Sequence, residues 1–234
     1  MTKPDLQLIA ESYDRTIACG RKGIDLYKDL PESITNTPAY SKWKEELESV
    51  TEGSGEIAVR DYLSPKPGMK FIDLGCSLNL MFHGYDQWPS QYHGVDISEQ
   101  TIQLLREFTA KHELKIGSLY CGGIHETPFE DSCFDIGTCI GVLEYFNTDY
   151  VEKALAEACR IIKPGGKFVL DIPNIISPSG KMMLMIEAYM GRPGQFQMLP
   201  HEFEDLLGTY FDIEDKDREG NESMGFLYCV RCKK

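Results

Sequence analysis

The stretch Lys70-Phe-Ile-Asp-Leu74, followed directly by Gly75, determines the predicted fold class. A short, largely apolar run that ends at a glycine is typical of a β-strand entering a tight turn. Gly75 lets the backbone turn sharply and approach a ligand closely. In a doubly wound sheet, ligands bind at the carboxyl ends of the strands, so residues 73–79 form a candidate binding loop. An ordinary strand-to-helix connection has the same features, and this motif alone leaves that alternative open.

The strand–turn–helix pattern repeats towards the C-terminus. Further strands are predicted at 91–95, 114–120, 134–140 and 167–172. Helices are predicted from about residue 80, over 99–112 with Ser98 as N-cap, and over 149–162. This alternation predicts right-handed crossovers and a mostly parallel sheet.

The end of the chain lacks this alternation of strands and helices. The last two predicted strands, 210–213 and 226–230, are separated by a charged loop that is too short for a crossover helix. They should therefore pair as a closing antiparallel hairpin. The prediction is an α/β fold: a Rossmann-like sheet of seven mostly parallel strands with an antiparallel last strand, helices on both faces and a helical N-terminal lid.

The composition indicates a folded protein with an acidic surface. Hydrophobic residues make up 42% of the 234 residues and charged residues 26%, and the net charge is −13 at pH 7. Since nucleic acids and anionic membranes attract basic proteins, we expect neither as a partner. The N-terminus has no apolar signal core, and the longest apolar run, 182–186, is too short to cross a bilayer. We expect a cytoplasmic protein without stable membrane insertion.

The eight cysteines are expected to be reduced thiols. Cys229 and Cys232 have the spacing of a metal or redox pair, but they fall in a predicted strand, where side chains three residues apart point to opposite faces. No second pair of this kind occurs, so we predict no metal site. Nothing in the sequence indicates an oligomeric state.

A carboxylate follows the second predicted strand, in Gly94-Val-Asp-Ile-Ser98. Asp96 lies about 20 residues after the glycine turn, the spacing at which an acid accepts hydrogen bonds from two ribose hydroxyls. An exposed acid that starts the next helix is the alternative. Position and spacing together favour a nucleoside ligand.

Several segments occur in the order found in a known family: 71–76, 94–98, 127–135, 141–145 and 160–167. Together they resemble the class I S-adenosylmethionine-dependent methyltransferases, especially the type 11-like group that acts on small molecules and quinones. The resemblance extends over about residues 55–234 and includes the closing hairpin. A nicotinamide-dependent oxidoreductase is an alternative for this fold, but it would be expected to carry Gly-x-Gly-x-x-Gly, whose second and third glycines do not fit here.

The resemblance implies S-adenosylmethionine as cofactor, S-adenosylhomocysteine as product and a reaction of the EC 2.1.1 class. The residues implied at the methionyl part are Asp73, Gly75, Cys76 and Ser77. Asp96 would hold the ribose and Ile97 would pack on adenine. The residues implied at the adenine edge are Gly123, Ile124 and His125, and those beneath the sulfonium are Ile140, Gly141 and Val142.

Three positions depart from the family pattern. Ser77 and Asn79 stand where glycine is usual, and Gly123 replaces an Asp that often contacts the adenine amino group. These departures raise a further alternative: a non-catalytic, methyltransferase-like binding module with a weakened cofactor site.

The expected acceptor is a small molecule with an apolar or aromatic part. We predict a helical lid and substrate segment over residues 1–64 and a cofactor-binding core over 65–234. The candidate acceptor contacts are aromatic residues: Tyr13, Tyr40, Tyr145, Tyr189 and Phe196. The Met-rich segment 178–200 would adapt to an apolar ligand, and the favoured alternative is ordinary packing of its methionines under a helix.

Methyl transfer to a hydroxyl or an acidic carbon requires a base. Glu144 is the first candidate and His201 the second, with a structural role as the alternative for each. The segment after the fourth strand, Gly141-Val-Leu-Glu-Tyr145, lacks the Asn-Pro-Pro-aromatic motif used on exocyclic base nitrogens. Together with the acidic charge, this argues against a nucleic-acid methyltransferase.

Overall fold

The computed structural model describes residues 3–51, 54–192, 194–217 and 223–233. Within these residues, seven strands form one sheet in the order β3-β2-β1-β4-β5-β7-β6. The strands are β1 (Lys70–Leu74), β2 (Gln91–Asp96), β3 (Leu119–Cys121), β4 (Phe134–Cys139), β5 (Ile162–Pro173), β6 (Phe211–Asp217) and β7 (Gly225–Cys232).

The pairing of the strands confirms the predicted topology. β1 lies between β2 and β4 and is parallel to both, whereas β7 is antiparallel to both β5 and β6. Because the chain leaves β1 towards β2 and β3 and returns on the other side as β4, a crevice opens between the carboxyl ends of β1 and β4. Such a switch point is where open α/β sheets bind ligands.

Helices surround the sheet. Those of the described residues are α1 (Lys3–Gly20), α2 (Glu32–Thr35), α3 (Pro38–Thr51), α4 (Ser54–Leu63), α5 (Asn79–Phe82), α6 (Glu99–Lys111), α7 (Thr148–Ile161), α8 (Pro178–Tyr189) and α9 (Pro200–Tyr210). Ser98 caps α6 as predicted, because its Oγ accepts a hydrogen bond from Thr101 N at 3.0 Å. Asn147 and Ser177 cap α7 and α8 in the same way.

Both faces of the sheet are covered by helices. Along β5, Phe168 and Leu170 face a core that includes α7 and α9, and Val169 faces a second core that includes α4 and α6. All three side chains are essentially inaccessible to solvent. This explains the nearly continuous apolar run of β5, which is typical of a strand buried on two sides.

The N-terminal segment does not pack as one layer. α1 packs on α6, α3 packs on α8, and α4 packs on the sheet through Val59 and Leu63. The described helices include none that is both long enough and apolar enough to traverse a bilayer.

Two elements are shorter than the sequence indicates. β3 covers Leu119–Cys121 rather than 114–120, because Leu114 N still bonds Thr109 O at the end of α6 and the chain reaches the sheet only afterwards. The helix predicted from residue 80 is the single turn α5, since Gly84 adopts a left-handed φ of +65° and begins a 3-10 turn at Tyr85–Gln87.

Cys229 and Cys232 point to opposite faces of β7, as predicted from the strand periodicity. Cys232 instead lies beside Cys159 of α7, with 3.1 Å between the two Sγ atoms. No group of three His, Cys, Asp or Glu side chains in the described ranges is arranged to hold a metal ion.

Candidate active site

The turn after β1 requires a glycine. Gly75 has a φ of +76°, and a Cβ added to it would lie 2.3 Å from Cγ2 of Val142. The N–H groups of Gly75 and Cys76 both donate to the carbonyl oxygen of Val95, each at 2.8 Å. The turn is therefore pressed against the segment after β4 and anchored to β2.

Asp73 lies behind this turn, 1% exposed. Its carboxylate accepts hydrogen bonds from Thr138 Oγ1 at 2.8 Å, Tyr92 Oη at 3.0 Å and Asn79 Nδ2 at 3.2 Å. Burial raises the pKa of Asp73 to about 6, against the opposing effect of these donors. The carboxylate thus orients Asn79 and the start of α5.

Asp96 lies at the turn, as the sequence predicts. Its Oδ2 accepts from Ser77 N at 2.9 Å, and its Oδ1 accepts from Ser98 N at 2.8 Å. Burial raises the pKa of Asp96 to about 6, and the two backbone donors oppose that rise. The carboxylate is therefore mostly ionised at neutral pH.

A first cavity of about 220 Å³ opens at the ends of β1, β2 and β4. Its walls come from the glycine turn, from Asp96 and from aromatic and aliphatic side chains. It is lined by Ile9, Tyr13, Gly75, Ser77, Asn79, Asp96, Ile97, Ile124, Ile140, Gly141, Val142, Tyr145, Phe146 and Tyr150.

A second cavity of about 470 Å³ lies on the other side of the β4 end. It shares Asn79, Ile140 and Gly141 with the first cavity. Its other lining residues are mainly apolar, with Glu144 and Asp171 as the acids and His83 as the basic group: Val59, Phe82, His83, Tyr85, Glu144, Asp171, Ile172, Pro173, Met183, Met224, Gly225, Phe226 and Leu227.

The two carboxyl groups of the second cavity influence each other. Glu144 is buried, and burial followed by the charge of Asp171 raises the pKa of Glu144 to about 8. Asp171, at the end of β5, accepts a hydrogen bond from Gly141 N at 2.8 Å. Glu144 is therefore a carboxyl group that titrates above neutral pH.

A buried polar network joins α1 to the first cavity. Tyr13 and Tyr145 share a hydrogen bond of 3.0 Å between their hydroxyls, and Tyr145 donates to Glu187 Oε2 at 3.0 Å. Arg192, 2% exposed, forms an ion pair with Glu187 at 2.9 Å and lies over the Tyr13 ring, 4.3 Å from its centroid.

The other residues singled out from the sequence lie away from the cavity walls. Cys76 is buried behind the turn, and Gly123 and His125 lie next to Tyr150. Tyr40 packs on Trp43, Phe196 packs near Phe203, and Tyr189 and His201 are exposed on α8 and α9. Of the methionines in 178–200, Met182, Met190 and Met198 are buried in cores, and Met183 lines the second cavity.

Sequence reasoning missed most of the second cavity. Asp171 had a detectable signal, because it lies near the carboxyl end of the fifth predicted strand. Phe82, His83 and Phe226 had none, since they come together only when α5 and the closing hairpin are placed in three dimensions.

Comparisons with known proteins agree with this architecture. A family model described as a methyltransferase domain matches residues 72–170. A demethylmenaquinone methyltransferase of Bacillus mycoides is 27% identical over 144 residues, which is 60% of this chain and 55% of that protein. An uncharacterized protein of Methanocaldococcus jannaschii is 37% identical over 103 residues, which is 44% of this chain and 40% of that protein. The chain thus matches about half the length of these curated relatives.

Solved structures share the fold. The PH0226 protein of Pyrococcus horikoshii OT3 superposes with a TM-score of 0.60 at 21% identity, covering 89% of this chain and 98% of that chain. A geranyl diphosphate C-methyltransferase of Streptomyces coelicolor A3(2), in complex with S-adenosyl-L-homocysteine, has a TM-score of 0.62 at 14% identity, with coverage of 76% and 75%. The strand order, the methyltransferase-domain match over residues 72–170 and the sequence relatives make the chain similar to the class I S-adenosylmethionine-dependent methyltransferases.

Proposed function

We propose that the protein transfers a methyl group from S-adenosylmethionine in the first cavity to a small-molecule acceptor in the second. The observation that carries this proposal is the common wall of the two cavities, formed by Asn79, Ile140 and Gly141. Ligands in the two cavities would meet at this wall. Such proximity and alignment supply much of the acceleration of a displacement reaction.

The first cavity fits a nucleoside that carries a charged sulfur. Each carboxylate oxygen of Asp96 accepts one backbone N–H, which leaves a further lone pair on each for a ribose hydroxyl. Ile97 and Ile124 offer apolar contacts to a purine. We assign the methionyl part to the loop of Gly75 and Ser77.

Other cofactor residues act from behind or beside the cavity. Asp73 and Cys76 support the glycine turn from within the core, so we assign them a positioning role. Ile140 and Gly141 lie at the common wall, where the sulfonium end belongs. When bound, S-adenosylmethionine supplies a methyl carbon whose bond to sulfur breaks as the acceptor atom bonds to it.

Glu144 is the proposed base. It lines the second cavity, and its raised pKa makes the ionised carboxylate a better proton acceptor than an ordinary Glu. Its backbone oxygen accepts from Gln195 N at 3.1 Å and Phe196 N at 3.3 Å, which holds the segment in place. His201 is exposed on α9 and lines neither cavity, so we assign it no catalytic role.

The acceptor is proposed to carry an apolar part. Phe82, Met183 and Phe226 supply apolar walls in the second cavity. Demethylmenaquinone and geranyl diphosphate, named for two relatives, both contain apolar chains. We propose α1 as a lid over the first cavity, because it contributes Ile9 and Tyr13 to the lining.

A screen with methyl-labelled S-adenosylmethionine tests the proposal. Phenols, quinols and amines with apolar bodies are incubated with the protein, and mass spectrometry detects the labelled product. We expect a labelled product that depends on the protein and is strongly reduced in Glu144→Gln but not in the exposed control Glu152→Gln. Binding of S-adenosylhomocysteine without any product would favour the non-catalytic binding module. Binding of NADH in its place would favour the oxidoreductase.

A further inference from the structure

Two cysteine thiols that the proposed function does not use lie in contact where α7 meets the end of β7. Cys159 is on the last turn of α7, and Cys232 is the last residue of β7, 73 positions further along the chain. Their Sγ atoms are 3.1 Å apart. The sequence pairs Cys232 with Cys229 by spacing, but the structure gives it a different neighbour. Sulfurs already in contact can form a disulfide without a large displacement of either element.

The backbone at the junction of α9 and β6 holds the pair in place. The carbonyl oxygen of Tyr210 accepts from Cys159 Sγ at 3.4 Å and from Lys233 N at 3.1 Å. Cys232 pairs with Phe211 in the ladder between β6 and β7. The contact between the two sulfurs is therefore fixed by hydrogen bonds of the neighbouring backbone.

The two thiols differ in exposure and in acidity. Cys159 is half-buried, whereas Cys232 is 3% exposed. A hydrogen bond from the Cys232 thiol lowers the pKa of Cys159 against the effect of burial, and the positive charge of Lys233 acts in the same direction as the hydrogen bond. The same hydrogen bond, together with burial, raises the pKa of Cys232. An oxidant therefore meets Cys159 first, and Cys232 lies behind it.

We propose that Cys159 and Cys232 form a peroxide-sensitive site that closes into a reversible disulfide between α7 and the closing hairpin. In the first step the Cys159 thiolate attacks one oxygen of hydrogen peroxide, so that the S–O bond of a sulfenic acid forms, the O–O bond breaks and hydroxide leaves. In the second step the Cys232 thiolate attacks that sulfur, the S–S bond forms, the S–O bond breaks and a second hydroxide leaves. The two hydroxides take up the two thiol protons. One peroxide is thus reduced to two waters as the two thiols lose two electrons.

The disulfide would lie at the edge of the sheet opposite the cavities. Because β7 is antiparallel to β5, its first residues, 225–227, line the second cavity and Cys232 is at its far end. The new bond closes a loop of more than 70 residues, which restricts the unfolded chain. We therefore expect oxidation to stabilise the fold. The inference requires neither cofactor nor acceptor, so it is independent of the proposed function.

Oxidation of the purified protein with hydrogen peroxide, followed by blocking of the remaining thiols with N-ethylmaleimide, tests the inference. Peptide mapping by mass spectrometry should show the tryptic segment 154–160 linked to 232–233, with the loss of two hydrogens. The melting temperature should rise by about 5 °C or more. Dithiothreitol should reverse both changes.

Three variants separate this pair from the other cysteines. In Cys159→Ser and in Cys232→Ala, the difference in melting temperature between the oxidised and reduced forms should disappear. Comparing two forms of the same variant removes the effect of the substitution on folding itself. In the control Cys229→Ser, whose side chain is on the opposite face of β7, the difference should remain.

Three results would overturn the inference. One is oxidation of Cys159 to sulfinic or sulfonic acid without a link to Cys232. Another is a linked protein whose melting temperature does not rise. The third is a rise that persists in Cys159→Ser, because the stabilisation would then come from another site. The peptide map is obtained on the wild-type protein, so it decides the question even if a variant does not fold.

Discussion

At the scale of single residues, the candidate site depends on the backbone conformation of the turn at Gly75. Gly75 and Gly165 have the same φ of +76°, but only Gly75 faces a close neighbour, Val142. A Cβ added to Gly165 would meet no described atom within 4 Å. The two positions therefore separate the cost of backbone strain from the cost of a clash.

We expect Gly75→Ala to lower the free energy of unfolding by at least about 1 kcal/mol more than Gly165→Ala. Both variants lose the conformational freedom of glycine, and only Gly75→Ala adds the contact with Val142. Urea denaturation measures both values. Adding Val142→Ala should recover part of the loss at position 75. Equal losses for the two single variants would show that the turn tolerates a side chain.

The raised pKa of Glu144 has a consequence for stability. In the unfolded chain Glu144 titrates near 4.5, and in the folded protein near pH 8. The folded state therefore binds the proton more tightly, and the contribution of Glu144 to stability is full below about pH 4.5 and is lost as the pH rises through 8.

Glu144→Gln should consequently gain stability relative to wild type between pH 5 and pH 8.5, by at least about 1 kcal/mol. The measurement is urea denaturation at both pH values, with the exposed Glu152→Gln as control. Asp171→Asn should shift the transition of Glu144 to lower pH, because it removes a repelling charge. A difference between Glu144→Gln and wild type that is independent of pH would contradict the assigned environment.

At the scale of elements, sequence patterning predicts the sheet better than the cavities. The apolar runs of β1 and β5 and the cap at Ser98 identify their elements directly, since each signal is local. The position of Asp96 at the Gly75 turn also follows from strand order. Tyr40, Tyr189 and Phe196 are predicted as acceptor contacts from residue type alone. The sequence has no periodicity that indicates which face of the N-terminal segment or of α8 lines a cavity.

The junction of α1 with α8 depends on a buried charge pair. Arg192→Met would leave the buried Glu187 carboxylate without its cation, and we expect a loss of about 3 kcal/mol or more in the free energy of unfolding. The control is Arg21→Met, because Arg21 and Glu107 form an exposed pair at 3.4 Å whose loss should cost less than about 1 kcal/mol. Urea denaturation compares the two. Similar losses of unfolding free energy in Arg192→Met and Arg21→Met would contradict the role of Arg192 in holding α1.

At the scale of the whole molecule, acidity extends from the surface to the second cavity. The net charge is −13, and the described residues that line this cavity include Glu144, Asp171 and His83 but no Lys or Arg. An anionic acceptor would meet the carboxyl groups of Glu144 and Asp171 without a Lys or Arg among the described lining residues to compensate them. Like charges in contact are unfavourable, so neutral acceptors should bind better.

Matched aromatic probes measure this selectivity. In the presence of saturating S-adenosylhomocysteine, 2-naphthoate should bind at least about tenfold more weakly than 2-naphthol. Asp171→Asn should narrow the difference, whereas Asp131→Asn, at the distant exposed pair with Arg160, should leave it unchanged. Tighter binding of 2-naphthoate than of 2-naphthol would contradict the electrostatic character assigned to this cavity.

The central claim is that Asp96 and the Gly75 turn hold the nucleoside of S-adenosylmethionine. Calorimetric titration with S-adenosylhomocysteine tests it most directly, with Asp96→Asn as the variant and NADH as the competing ligand. We expect one molecule of S-adenosylhomocysteine bound per chain, affinity at least about tenfold weaker in Asp96→Asn, and no binding of NADH. Unchanged affinity in Asp96→Asn, or no heat of binding at millimolar S-adenosylhomocysteine, would contradict the account.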